Sequence, residues 1–313
     1  MIVISNGFNK FHLTSAAAEL NRTGLLSLLI TGAYPKNILI KYGSFESLQK
    51  NAKYQRLLAR GDNVDDKHVR ALVLPEMMHA MSLLLSTYGA DRISSYLNVL
   101  SYSLYGHMAG KILKSVGKNA KIYHYRAGFG GQSLKIAEAL GLVTLCDHSS
   151  VHPSMASFLV DNGGRMPRSG EQCRLNRFER WLLADIEAAN AIVVNSDFAK
   201  RTFLKHTQSS KPIHTIYWGV DDQFIKYKHS CGKTACSKKG PVRFLFAGAL
   251  EPRKGAKALI DALIAIPDAQ QNFEIIGNID SEILKRYPNF ISSSPIKFHG
   301  VLPRHEVSRR MQS

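Results

Sequence analysis

With 313 residues and 45% hydrophobic content, the chain can bury a sizeable core in one large domain or two ordinary ones. Its formal charge of +17 favours polyanionic partners: nucleic acid, an anionic membrane surface or phosphorylated substrates. Four scattered cysteines, Cys146, Cys173, Cys231 and Cys236, exclude a disulfide framework, and Cys231 and Cys236 beside His229 lack the second ligand pair of a zinc finger, so no metal site is expected. Met1–Gly7 lacks the basic region and long apolar run of a secretory signal, and no apolar stretch is long enough to span a bilayer. A cytoplasmic setting is expected, with the inner face of the cytoplasmic membrane open to the protein.

Short apolar runs alternate with helical patterns. Ile2–Ser5 reads as a strand, Leu13–Arg22 as a helix and Leu25–Thr31 as a strand. Arg70–Leu74 reads as a strand stopped by Pro75, and Ser94–Val116 as a long helix. Lys121–Tyr125 and Val143–Cys146 are strands around the helix Gln132–Leu140, which Gly141 closes. Glu171–Ala189 is the clearest helix: Leu175, Phe178, Leu182, Ile186 and Ala189 form one apolar stripe. The strand Ala191–Asn195 follows, then Ser196 as cap of the helix Asp197–Leu204, then the strand Ile213–Tyr217. Strands separated by helices predict a parallel, doubly wound sheet over residues 1–217.

Residues 218–240 read as a linker and basic loop, with Lys226, Lys228, Lys233, Lys238 and Lys239 and no acidic residue after Phe224. Gly232-Lys233-Thr234 looks like the end of a P-loop, but Tyr227 stands where that motif needs glycine. The alternation restarts with the strand Val242–Ala247, the helix Lys257–Ile266, the strands Phe273–Ile276 and Ile296–Phe298, and a helical segment at Arg304–Met311. Residues 241–313 are too few for a second domain comparable to the first, so an incomplete one is expected.

The turn Ala247-Gly248-Ala249-Leu250-Glu251-Pro252-Arg253-Lys254-Gly255 joins a strand to a helix. Strand ends and helix N-termini suit phosphate, and Arg253 and Lys254 add charge-assisted donors. Local chemistry leaves two readings open, a diphosphate cradle or a surface turn with two solvated cations. Thr144-Leu145-Cys146-Asp147-His148 ends another strand and puts His148 where such a sheet meets ligands; Asp147 and His152 are open between function and structure. His12 reads equally as a ligand contact or a helix-surface histidine. Arg126, followed by Gly128, Gly130 and Gly131 after a strand, offers an anion site or a flexible turn.

Taken in order, these stations resemble the family-4 retaining glycosyltransferases of the GT-B fold. Gly248–Gly255 is similar to that family's donor-loop pattern, Pro-x-Lys-Gly before a helix. Ala191–Phe198 is similar to its strand and cap, Tyr217–Asp221 to its Asn-Gly-Val-Asp segment, Ile275–Asn278 to its Ile-x-Gly-x-Gly turn, and Phe298–Val301 to its Phe-x-Gly-x-Val strand end. Ala249 departs from it, since the family often has arginine there, and of the glycines usual after the first strand only Gly7 is present.

The resemblance implies two Rossmann-like domains facing a cleft, the second incomplete. It implies sugar transfer from a nucleotide-diphosphate donor to a glycan or lipid-linked acceptor in cell-surface polysaccharide synthesis, with retention and with no metal or other cofactor. His148 would contact the donor sugar near the reaction centre as the catalytic residue. Lys254, Arg253 and Gly248 would bind the diphosphate, Gly7, Gly277, Asn278, Gly300 and Val301 the nucleotide or sugar, and His12 and Arg126 the acceptor. Arg165, Arg168, Arg174, Arg177 and Arg180, with the basic loop, would add attraction to an anionic membrane. The family's Glu-x7-Glu motif is missing, so the alternative is a catalytically inactive truncated remnant that binds nucleotide-sugar or a partner protein. Without a recognition helix, zinc finger or aromatic RNA-binding signature, no nucleic-acid partner is expected.

Overall fold

The computed structural model describes residues 1–35, 54, 57–58, 60–61, 64–116, 119–161, 175–206, 210–220, 222–225, 242–270, 272–293 and 295–311. It divides into two compact units, Met1–Trp218 and Gly219–Ser313. The expected Cys231/Cys236 pair, Cys173, Arg165, Arg168, Arg174, the Lys226–Lys239 run and the first turn of the Glu171–Ala189 helix lie outside the described residues.

The N-terminal unit carries β1 (Ile2–Gly7), α1 (His12–Arg22), β2 (Leu26–Thr31), β3 (Val69–Ala71), α2 (Val73–Thr87), α3 (Asp91–Val116), β4 (Ile122–Arg126), α4 (Gln132–Ala139), β5 (Val143–Asp147), α5 (Pro153–Asp161), α6 (Arg177–Ala188), β6 (Ala191–Val194), α7 (Asp197–His206) and β7 (Ile213–Thr215). Its seven strands run in the order β3-β2-β1-β4-β5-β6-β7, and every pairing is parallel. This is the doubly wound α/β architecture expected. The order reverses between β1 and β4, and at such a reversal the loops diverge and leave a crevice at the carboxyl ends of the strands.

The pleat sorts the two cores. Val3 of β1 joins Tyr105, Ala109 and Leu113 of α3 and Leu134 and Ala137 of α4. The next residue, Ile4, joins Leu13 and Ala17 of α1 on the opposite face. Glycine lets α3 lie close to the start of α4: a Cβ on Gly106 would come within 2.8 Å of the Gly130 carbonyl oxygen, and one on Gly110 within 2.6 Å of Ile136.

The expected Arg70–Leu74 strand is overturned. The strand is only Val69–Ala71, and Pro75 sits in the first turn of α2. A helix's first N–H groups have no intrahelical acceptor, so a proline there sacrifices no bond. The described part of the clearest expected helix is α6, begun by a reciprocal capping box between Asn176 and Glu179.

The C-terminal unit holds α8 (Asp222–Ile225), β8 (Phe244–Ala247), α9 (Ala256–Ala265), α10 (Pro267–Gln270), β9 (Phe273–Ile276), α11 (Ser281–Arg286), α12 (Pro288–Ser293), β10 (Lys297–Phe298) and α13 (Arg304–Arg310). Its sheet is parallel in the order β10-β9-β8. Ile260 and Leu263 of α9 pack on Phe273 and Ile275 of β9. Among the described residues no helix is long and apolar enough to cross a membrane.

Candidate functional site

At the carboxyl ends of β4 and β5 the N-terminal unit opens a cavity of about 200 Å³. One wall is aromatic: Phe11, Tyr102, Phe129 and Phe178. The other carries Arg126, Asp147, His148, Ser149 and Ser150. Parallel pairing of Arg126 with Asp147 sets these two side by side at the last rung of the sheet.

Asp147 is buried and accepts from His12 Nε2 at 2.8 Å, while His124 Nε2 lies 3.6 Å from the same oxygen. Burial raises the carboxyl pKa, but the hydrogen bond from His12 and the presence of His124 outweigh it, so the net shift is downward. An ionised Asp147 holds His12 with Nε2 protonated, leaving Nδ1 as the basic atom. In this structure Nδ1 is covered and without a hydrogen-bond partner, and the rings of Phe11 and Trp218 lie 4.0 and 5.2 Å from the imidazole.

Arg126 lies over the Phe11 ring, 4.1 Å from its centroid, and donates to the Phe8 carbonyl at 3.2 Å. Among the described residues no carboxylate forms an ion pair with it. Burial pulls its pKa below the ordinary guanidinium value, and Tyr102 and Asp147 offset this only in part. A largely buried cation with no direct ion pair among the described residues favours an incoming anion. His148 donates from Nε2 to the Val151 carbonyl at 3.0 Å, and burial depresses its pKa. Burial thus favours the neutral ring.

The surrounding loops are fixed by groups that composition did not reveal. Tyr105 of α3 donates to the Ile30 carbonyl and accepts from the Gly7 N–H, at 3.0 and 3.2 Å. Glu76 of α2 accepts from the Ala33 N–H and from Arg60, each at 2.6 Å, and from the Asn9 N–H at 3.3 Å. Asp185 of α6 accepts from the Gly130 and Gly131 N–H groups, each at 2.8 Å. The glycine turn, open on sequence between an anion site and a flexible turn, is already occupied by the chain's own Asp185 carboxyl group. Burial raises the Asp185 pKa to about 6 despite these bonds.

At the carboxyl edge of the smaller sheet, three strand ends are laced together. The Gly248 N–H donates to Ile276 at 2.8 Å and the Gly277 N–H to Gly300 at 2.7 Å. Pro252–Lys254 form a single 3₁₀ turn, and Gly255 takes a left-handed φ of 75° to enter α9. Arg253 is tied to Glu251 at 2.5 Å. The Lys254 side chain is exposed and has no partner among the described residues. Among the described residues no cluster of three His, Cys, Asp or Glu side chains could hold a metal.

The sequence matches no family model and no curated protein. Solved structures do overlay on it. HepE of Anabaena, in complex with UDP and glucose, is 12% identical, with 99% of this chain and 71% of that one covered and a TM-score of 0.49. UDP-N-acetylglucosamine 2-epimerase from Rickettsia bellii is 10% identical, with 100% and 72% covered and a TM-score of 0.49. A UDP-glucosyltransferase from Polygonum tinctorium is 15% identical, with 96% and 71% covered and a TM-score of 0.42. At such low identity the likeness concerns the fold alone.

The expected residues fall into two groups. Arg126 and His148 line the cavity, and His12 reaches its edge through Asp147. Gly7 lies behind it, and a Cβ there would come within 2.5 Å of the Phe129 ring, so packing by itself requires glycine. Gly248, Gly277, Asn278, Gly300, Val301, Arg253 and Lys254 all belong to the C-terminal unit's strand edge or its loops. His152, left open by the sequence, meets Phe203 edge-on and stacks on His206. Burial and the neighbouring histidines lower its pKa to about 4.

Proposed function

We propose that this chain is a GT-B-like glycosyltransferase that moves a sugar from a nucleotide-diphosphate donor to a glycan or lipid-linked acceptor, in cell-surface polysaccharide synthesis at the cytoplasmic side of the membrane. The observation that carries the reading is Lys254, an exposed cation with no partner among the described residues, one residue ahead of the glycine that starts α9. A lysine there, beside the positive end of a helix dipole, suits a diphosphate. Lys254 would neutralise charge as the bond from the anomeric carbon to the diphosphate breaks, with Gly248, Gly277, Asn278, Gly300 and Val301 shaping the nucleotide and sugar site. Arg253, already paired with Glu251, contributes less. Arg126 orients an acceptor bearing a phosphate or carboxylate, and His148 contacts the donor sugar.

Retention at the anomeric carbon is the outcome implied by the family-4 motifs. The Asp147–His12 pair favours a second reading, inversion, in which neutral His12 takes the acceptor hydroxyl proton on Nδ1 as that oxygen attacks. This requires the acceptor to uncover Nδ1. The anomeric configuration of the product, read by NMR, separates the two.

A thermal-shift screen of nucleotide-sugars against the full chain tests the main reading. At least one donor should raise the melting temperature, and Lys254→Ala should weaken that donor by about 10–100-fold, the value of one charge-assisted hydrogen bond. Unchanged donor affinity in Lys254→Ala would remove the proposed diphosphate site.

A further inference from the structure

Helix α2 is built inside out. Its buried residues are Pro75, Glu76 and Ser82, while Leu74, Met77, Met81, Leu83 and Leu84 face outward at 50–63% exposure. Leu74, Met77, Met81, Leu84 and Tyr88 recur at spacings of three and four, which is one continuous stripe. Tyr88, at the tip of the α2–α3 hairpin, is 81% exposed, and Ile93 and Tyr96 extend the surface along α3. A contiguous apolar patch of this kind marks a surface that is covered in use.

We propose that this hairpin docks on a bilayer surface carrying anionic headgroups. Charge selects the lipid over a second copy of the chain: two copies at +17 repel, whereas anionic lipid attracts a basic protein. Between Val73 and Ala90 the only formally charged residue is Glu76, and it is turned inward to Arg60 and the Asn9 loop. The outward face of α2 therefore lacks the charged groups that would fix register against a protein partner. Arg92 and Arg70 are exposed near the tip and foot of the hairpin, placed to meet headgroups while the stripe enters the acyl boundary; Lys67 beside them pairs with Asp65 at 3.9 Å. A fifteen-residue helix lies in the interface rather than crossing it, and tyrosine suits that depth. The hairpin's inner side adjoins the cavity: His79 stacks on Phe8 at 5.1 Å, and Tyr102 lies in the cavity wall. Docking would bring the cavity to the headgroup level.

This inference does not depend on the transfer reaction, and its test needs no donor. The full chain should sediment with vesicles of equal parts phosphatidylcholine and phosphatidylglycerol, and more weakly with phosphatidylcholine alone. Met77→Glu combined with Leu84→Glu should lower the partition by about tenfold or more, from the burial of two large apolar side chains, with an unchanged melting temperature. If that variant misfolds, Tyr88→Trp supplies the second readout: its added emission should shift to the blue with anionic vesicles. The proposal is overturned if the wild-type chain stays in the supernatant with both vesicle types. It is equally overturned if the folded double variant binds as well as wild type, or if Tyr88→Trp emission does not move. A dimer by light scattering, broken by Met77→Glu/Leu84→Glu and without vesicle binding, would assign the stripe to a second copy instead.

Discussion

Both units end their parallel strands in loops that suit ligands, yet the two edges are built differently. In the N-terminal unit the loop groups are already engaged: Glu76 with Arg60 and two backbone N–H groups, Asp185 with the glycine turn, Asp147 with His12. Arg126, in an aromatic wall, forms no ion pair among the described residues. In the C-terminal unit the backbone is laced strand to strand, while Lys254 and Asn278 remain exposed. The first edge is held in place by the chain's own side chains, so a ligand entering there would meet groups with little freedom left to lose. The second leaves Lys254 exposed, and under the proposed function its charge would gain a partner from the ligand.

Four experiments bear on that contrast. The largest effect is expected from His12→Ala. If His12 is the base, kcat should fall by about 10²–10⁴-fold with donor affinity unchanged; a loss of only a few-fold would favour retention without it. Next comes Gly277→Ala, since a Cβ at Gly277 would sit 2.0 Å from the Gly248 carbonyl oxygen. It should cost about 3 kcal/mol or more of stability by urea unfolding. Gly300→Ala meets open space at a φ of 64° and should cost only about 1 kcal/mol. Equal losses would mean that strand lacing does not hold the second edge.

Third, Arg253→Ala should weaken donor binding by only a few-fold against the larger effect of Lys254→Ala, because Arg253 must first leave Glu251. Calorimetric titration of both variants checks the order.

The smallest effect is a pH slope. Asp185 has its pKa raised to about 6 in the folded chain, so its contribution to stability is full below the unfolded value near 4 and is lost as pH rises through about 6. His152 has its pKa lowered to about 4, so it acts in the opposite sense over the same window, and stability is gained as its proton leaves. Asp185→Asn should therefore make the melting temperature climb more steeply between pH 4 and 6, and His152→Phe should make it fall. Unaltered slopes in both would mean that neither group titrates as its burial implies.

Much of the scaffold was legible because pattern and burial agree. Ile2–Ser5, Gln132–Leu140 and Phe273–Ile276 all carry periodicities that a half-buried strand or helix needs. Helix α2 was missed for the converse reason: its apolar residues face outward and its glutamate inward, so the usual sign of the pattern is reversed. His148 and Arg126 could be picked out as strand-end residues. The Asp147–His12 pair could not, since 135 positions separate its members. Nor could the role of Asp185, whose glycine-turn partners lie more than fifty positions away.

The sequence by itself carried the alternation of strands and helices, an expected linker over residues 218–240, and the glycine that closes a helix at Gly141. Those are local facts, set by side-chain periodicity and by which residues tolerate a positive φ. Only the tertiary structure decided that the glycine turn after Arg126 is filled by Asp185, that Asp147 orients His12, and that α2 turns its apolar side outward. Each depends on which distant elements lie against one another once β1 and β4 pair at the centre of the sheet.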